Sequence, residues 1–224
     1  MNILIVNLIL STAEKGVIPR RKSNKDCMIY NFANGFVTNG HKVTVCASEE
    51  YRPLEPETNP FEVVYFKSRL PKLCKPYLIP YPVGLRKYVQ ENIAKYDLVI
   101  ASEVFQMATL LIADICKGKL VIWQELSLHN KMMFKLPSKI WYNCVVSCTS
   151  LKNALVVARS ENAKQFIKQY CRNVSDEIVE HGANGELLKP KEHAGRNFSI
   201  VGQLIARNNI NAIIEKFAKF VKKD

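Results

Sequence analysis

The sequence predicts an α/β protein built on a doubly wound parallel sheet of about seven strands. Three observations lead there. Short, nearly continuous apolar runs recur along the chain, as expected of parallel strands covered on both faces. Segments with helical apolar spacing stand between them, and Gly, Pro and Asn punctuate the joins. Strands alternating with helices in this way call for a parallel sheet wrapped by helices.

Ile3–Leu8 reads as the first, central strand. The next helix carries Ile29, Phe32, Ala33, Phe36 and Val37 on one stripe. Ser23 with Asp26 suggests a capping box at its start, and Asn39-Gly40 ends it with a left-handed glycine. Val43–Ala47 and Glu62–Phe66 read as the second and third strands. Pro71, Pro76, Pro80 and Pro82 then forbid a helix, while apolar Leu70, Leu73, Tyr77, Leu78, Ile79 and Tyr81 mix with Arg69, Lys72, Lys75, Arg86 and Lys87. A basic segment with aromatics suits the surface of an anionic bilayer, so peripheral membrane docking is expected there; a loop packed on the domain is the alternative.

Further on, Leu85–Ala94 is helical, Asp97–Ala101 a fourth strand ending at Ser102-Glu103, and Gln106–Cys116 helical. Leu120–Trp123 is the fifth strand, ending at Gln124-Glu125. Pro137 suits the first turn of a helix over Lys139–Leu151, and Leu155–Ala158 is the sixth strand. Ser160 caps a helix that runs to Cys171, and Ile178–Glu180 reads as the seventh strand. A Gly/Asn/Pro-containing linker follows over 183–197. Phe198–Val201 and an amphipathic helix bearing Ile210, Ile213, Ile214, Phe217 and Val221 then open a second unit over 198–224.

The bulk numbers narrow the function classes. A net charge of +12 favours anionic partners. Nucleic acid is disfavoured, because the cations are not interleaved with a stacking platform or a recognition helix. No Gly-x-Gly-x-x-Gly follows the first strand, against a dinucleotide dehydrogenase. Seven scattered cysteines without Cys-x-x-Cys read as buried thiols of a reducing cytoplasm rather than as a metal site. The apolar start of the chain lacks a basic region and a cleavage pattern, and no apolar run reaches the ~18 residues of a membrane span.

In open parallel sheets ligands bind beyond the carboxyl ends of the strands. That rule selects two places. The loop after the first strand carries Lys15, Gly16, Arg20, Arg21 and Lys22, side-chain cations suited to a phosphorylated acceptor, or a mobile basic loop. The end of the fifth strand carries Glu125, a carboxylate that can orient or accept a hydroxyl proton, or form a surface ion pair.

Several segments carry a family resemblance. His181-Gly182-Ala183-Asn184 followed by Leu188-Lys189-Pro190 is similar to the "NGVD…F-x-P" join of GT-B glycosyltransferases of the family 4 type. Phe198–Leu204 resembles their "hhhVGRL" strand and turn, and Ala154–Ala163 their "ADxVhAxSE" step. Met1–Leu10 and Gly40–Val45 resemble the opening strand and the "GHxVTV" second strand. Asn208–Asn211 stands where the family has K-G-h-D.

The resemblance implies a Rossmann-like acceptor-side domain over 1–182 and the first strand and helix of a donor-side domain, so that the chain reads as a truncated enzyme. It implies transfer of a sugar, with retention, from a nucleotide-sugar to a glycan or lipid-linked acceptor, in cell-surface polysaccharide synthesis, without a metal or a further cofactor. The setting would be cytoplasmic or on the inner membrane face. Glu125 takes the place of the family's histidine, with Glu103 and His129 beside it on the acceptor side, although a lone histidine such as His129 also reads as structural or exposed rather than catalytic. Gly202, Gln203, Arg207 and Asn208 fall where the family grips the donor diphosphate, although Gln203 and Asn208 replace its Arg and Lys. The family's pair of glutamates facing the donor has no counterpart. Two other readings stay open: a non-catalytic acceptor-binding or scaffold subunit, paired through the last helix with a second copy or a partner half, and a nucleotide-sugar epimerase of the same fold.

Overall fold

The computed structural model describes residues 1–14, 16–129, 135–182 and 209–221. The chain divides into two compact units, Met1–Asn184 and Gly185–Asp224.

The first unit is built on a seven-stranded, wholly parallel sheet in the order β3-β2-β1-β6-β7-β8-β9. The strands are β1 (Asn2–Val6), β2 (Lys42–Ser48), β3 (Glu62–Phe66), β6 (Leu98–Ser102), β7 (Leu120–Gln124), β8 (Leu155–Ala158) and β9 (Val174–Ile178). A two-residue antiparallel ribbon, β4 (Ser68–Arg69) with β5 (Tyr81–Pro82), stands apart from it. The chain grows outward from β1 to β3, then returns to β6 beside β1 and grows the other way. This is an α/β, Rossmann-like arrangement, and the reversal lies between β1 and β6.

Burial explains why the central strands form. Ile3, Leu4, Ile5 and Val6 are all buried, and Ile5 sits between Val45 of β2 and Ile100 of β6. Alternate residues feed two cores. Ile3, Ile5, Val45, Ile100 and Trp123 pack beneath α1 (Met28–Thr38). Leu4, Val6, Val99, Ile122 and Val156 share the other core with Leu85 and Val89 of α2 (Leu85–Asn92), Ala108 and Ile112 of α3 (Met107–Ile112), and Phe166 and Ile167 of α5 (Glu161–Ile167).

Three local expectations change. The first helix starts at Met28 with Cys27 as an uncapped N-cap, not near Ser23. Asn24 holds that segment elsewhere, its amide donating to Glu57 Oε1 (2.6 Å) and its side chain to the Tyr51 carbonyl (2.7 Å), while Ser23 Oγ accepts from Lys25 N–H. The helix expected over Lys139–Leu151 is α4 (Lys135–Ile140), continued by a π-helical turn over Trp141–Val146. The seventh strand is Val174–Ile178 rather than Ile178–Glu180. As an edge strand it exposes Asp176 and Glu177, so its polar sequence hid it. The cap at Ser160 forms as expected, its Oγ accepting from Ala163 N–H at 3.2 Å.

The second unit is described only in its helix α6 (Ile210–Val221); the expected strand at Phe198–Val201 lies outside the described residues. Among the described residues no helix is long and apolar enough to cross a membrane.

Candidate functional site at the carboxyl edge of the sheet

At the carboxyl ends of β6, β7 and β8 the chain delivers Glu103, Glu125 and Arg159 to one place. Each follows its strand directly, and the ladder continues past the strand ends to fix them. Glu103 N–H donates to the Trp123 carbonyl (3.1 Å) and Arg159 N–H to the Gln124 carbonyl (2.8 Å). Beneath them Gln124 is fully buried, its Oε1 accepting from Val104 N–H (3.0 Å) and its Nε2 donating to the Leu126 carbonyl (3.0 Å). One amide side chain thereby ties together the loops that carry both glutamates.

Glu103 adopts a left-handed backbone (φ 66°), a conformation costing a non-glycine residue of order 1 kcal/mol. Its side chain offsets this by accepting Glu125 N–H at 2.7 Å and Leu126 N–H at 3.3 Å. Burial pushes its carboxyl up to about 7, against the two amides and the nearby Arg159 charge, which pull it down. Such a group changes charge near neutral pH.

Arg159 is the centre of the cluster. It is 7% exposed, and its guanidinium lies 3.7 Å over the Trp123 ring, which also stacks on Phe32 of α1 (4.5 Å) and meets the His181 ring at 5.8 Å. Its Nη1 donates both to Glu125 Oε2 (2.7 Å) and to His181 Nε2 (3.0 Å). Because a guanidinium can only donate, His181 Nε2 is the acceptor in this contact. Arg159 Nε is buried without a partner among the described residues. Burial draws the Arg159 pKa below the ordinary guanidinium value, with Glu125 and Glu103 opposing. Trp123 Nε1 donates to the Val179 carbonyl (2.8 Å), so the chain leaving β9 is held at both Val179 and His181. The Glu125 side chain remains 61% exposed, a carboxylate oriented by a buried cation and open to solvent.

The structure brings Glu103 and Glu125 together and leaves the other expected residues elsewhere. His129 stands in an aromatic cage of Tyr142, Phe166 and Tyr170, with Nδ1 bound to buried Ser138 Oγ (3.2 Å) and Nε2 to Tyr170 Oη (3.1 Å). Burial, with Lys139 and Lys135 nearby, lowers its pKa. Gly16, Arg20 and Arg21 line a cavity of about 680 Å³ beyond β1 and β2, closed by Glu49–Leu54 and by Lys75–Tyr77. Gly16 is required there on two counts: its φ is +80°, and a Cβ would meet Tyr77 Oη at 3.2 Å. Lys22 pairs with Glu55 at 3.5 Å on the surface. Lys15, Gly202, Gln203, Arg207 and Asn208 lie outside the described residues.

Arg159 and His181 were not among the candidates read from the sequence. Their signal was the rule that selected Glu103 and Glu125: a polar residue just past a strand. Among the described residues no three His, Cys, Asp or Glu side chains gather closely enough to hold a metal ion. No protein-family model matches the chain, and no curated protein matches it.

Proposed function

We propose that this chain is a GT-B glycosyltransferase of the family 4 type, contributing the acceptor-side domain and the opening of the donor-side domain. It transfers a sugar from a nucleotide-sugar to a glycan or lipid-linked acceptor with retention, in cell-surface polysaccharide synthesis. The observation that carries the reading is Glu125, an open carboxylate at the carboxyl end of a central parallel strand, anchored by buried Arg159. It stands where the resemblance expects the group facing the reacting hydroxyl. In this role Glu125 orients the acceptor hydroxyl and takes up its proton as the hydroxyl oxygen bonds the anomeric carbon on the face from which the nucleoside diphosphate leaves, the sugar–phosphate bond breaking and the phosphate carrying away its electron pair. The cations of the first loop receive the acceptor's phosphate, and Gly202, Gln203, Arg207 and Asn208 fall to the donor diphosphate.

A cytoplasmic setting is part of this reading, supported by seven scattered cysteines of which five are buried. A second reading, an acceptor-binding subunit that acts with a partner half, is favoured by uncharged Gln203 and Asn208 at the positions of the family's diphosphate-gripping cations.

The test is calorimetry and thermal shift of the full chain against a panel of nucleotide-sugars, nucleoside diphosphates and short-chain polyprenyl phosphates. Binding of one nucleotide supports the enzyme reading. Binding of acceptor phosphates alone supports the subunit, and a folded chain silent to both panels refutes both.

A further inference from the structure

The mouth of the cavity beyond β1 and β2 has a composition that the transfer chemistry does not require. Large apolar side chains stand exposed in its lining and beside lining residues. Val17 (69% exposed) lies between the lining residues Gly16 and Ile18, and Leu54 (57%) lines the cavity itself. Leu70 and Leu73 (74%) flank the lining residue Pro71, and Leu73 N–H donates to the Leu70 carbonyl, closing a tight turn that presents both. Leu70 reaches that turn through a left-handed backbone (φ 54°). Three separate segments thus carry an exposed leucine or valine in the cavity's lining or next to it in the chain.

The charges on this face are mostly positive. Two of the acids are bridged to cations, Glu49 to Arg52 and Glu55 to Lys22, Glu50 accepts from Ser48 and Ser68, and exposed Glu14, bonded through its backbone to Val17, makes no ion pair among the described residues. Arg20, Arg21, Arg69, Lys72 and Lys75 make no ion pair among the described residues. Exposed apolar tips ringed by unpaired cations complement one kind of surface, where headgroup phosphates meet acyl chains. A protein partner of matching acidity would satisfy the cations but give no reason for apolar tips spread over three separate loops.

We propose that this face docks the protein on an anionic phospholipid bilayer, with Leu54, Leu70, Leu73 and Val17 entering the interface and Arg20, Arg21 and Lys72 meeting the headgroups. The inference does not depend on the glycosyl-transfer reading. It also sets the 680 Å³ cavity mouth against the lipid surface, so a ligand reaching it from the bilayer need not cross bulk water.

The experiment is vesicle co-flotation of the full chain with phosphatidylcholine alone and with an equal mixture of phosphatidylcholine and phosphatidylglycerol. Binding is expected to the mixture only, and to fall at least tenfold between about 0.05 and about 0.5 M salt. Leu54→Ser and Leu73→Ser each weaken it about tenfold, as expected for losing one inserted leucine. Arg20→Gln and Arg21→Gln each weaken it about fivefold. All four positions are exposed, and circular dichroism checks that the variants fold. No binding to anionic vesicles overturns the proposal, and so does wild-type binding by the Leu54/Leu73 double variant. Abolition by inorganic phosphate at matched ionic strength, with the leucine variants unaffected, overturns it in favour of a soluble phosphate site. Nucleotide-sugars play no part, so the result stands whether or not the transfer reading does.

Discussion

Replacing Arg159 with alanine tests whether the carboxyl-edge cluster is held as described. The magnitude can be built from its contacts. The ion pair with Glu125 adds little, because Glu125 is largely exposed and returns to water when the arginine is gone; about 0.5 kcal/mol is a fair share. The hydrogen bond to His181 contributes about 1 kcal/mol. The guanidinium over Trp123, desolvated and only 3.7 Å from the ring centroid, contributes about 1–2 kcal/mol. Relief of the unpartnered Nε returns part of this. The expected net loss is about 2–3 kcal/mol in urea denaturation at neutral pH. Arg159→Lys keeps the charge but loses the planar fork, and falls about halfway. A loss below about 0.5 kcal/mol for Arg159→Ala refutes the claim that this side chain organises the site. The same variant frees His181 and Glu125 together, so heteronuclear NMR shifts are expected at both positions and at Trp123 Nε1.

Other outcomes follow from the same geometry. Glu103 titrates at about 7 in the folded chain against 4.5 ordinarily, so the folded state binds the extra proton. Its contribution to stability therefore declines as pH rises from about 4.5 to about 7 and is level above, by about 3 kcal/mol in all. Denaturation of Glu103→Gln across that window is expected to show a flatter profile than the wild type, and an unchanged slope contradicts the burial of this carboxyl. His129→Phe leaves buried Ser138 without its partner and costs about 1–3 kcal/mol by thermal melting, with ligand binding by the chain intact. Ser160→Ala removes the cap of α5 and costs about 1 kcal/mol in the same assay. A thiol reagent applied to the native chain modifies Cys144 and Cys148 quickly and the five buried cysteines only on unfolding.

The sheet was legible because its inner strands are buried on both faces. Ile3–Val6 and Val43–Ala47 could hardly be anything else, and the alternation with helices fixed their parallel sense. What stayed hidden depends on partners distant in sequence. The segment at Ser23 has the letters of a capping box, but Glu57 and Tyr51 claim Asn24 and delay the helix to Met28. Val174–Ile178 reads as polar because an edge strand needs only one covered side. Glu125 was found by the strand-end rule together with the family resemblance, and Glu103 as the neighbouring strand end. Arg159 obeys the same rule but looks like an exposed surface residue, since only the packing of Trp123 against Phe32 makes the platform that buries it. His129, which sequence spacing sets close to Glu125, is instead turned into the aromatic cage by Ser138 and Tyr170.

One nitrogen of Arg159 serves two acceptors, one on the exposed carboxylate of Glu125 and one on the imidazole from which the chain departs the sheet. That nitrogen carries two hydrogens, one for each acceptor, so the two bonds form together without competing. A ligand that shifts the guanidinium through Glu125 therefore shifts the hold on His181 with it. By thermodynamic reciprocity, whatever the chain's exit does to affinity at the sheet's edge, a ligand there does in equal measure to the exit.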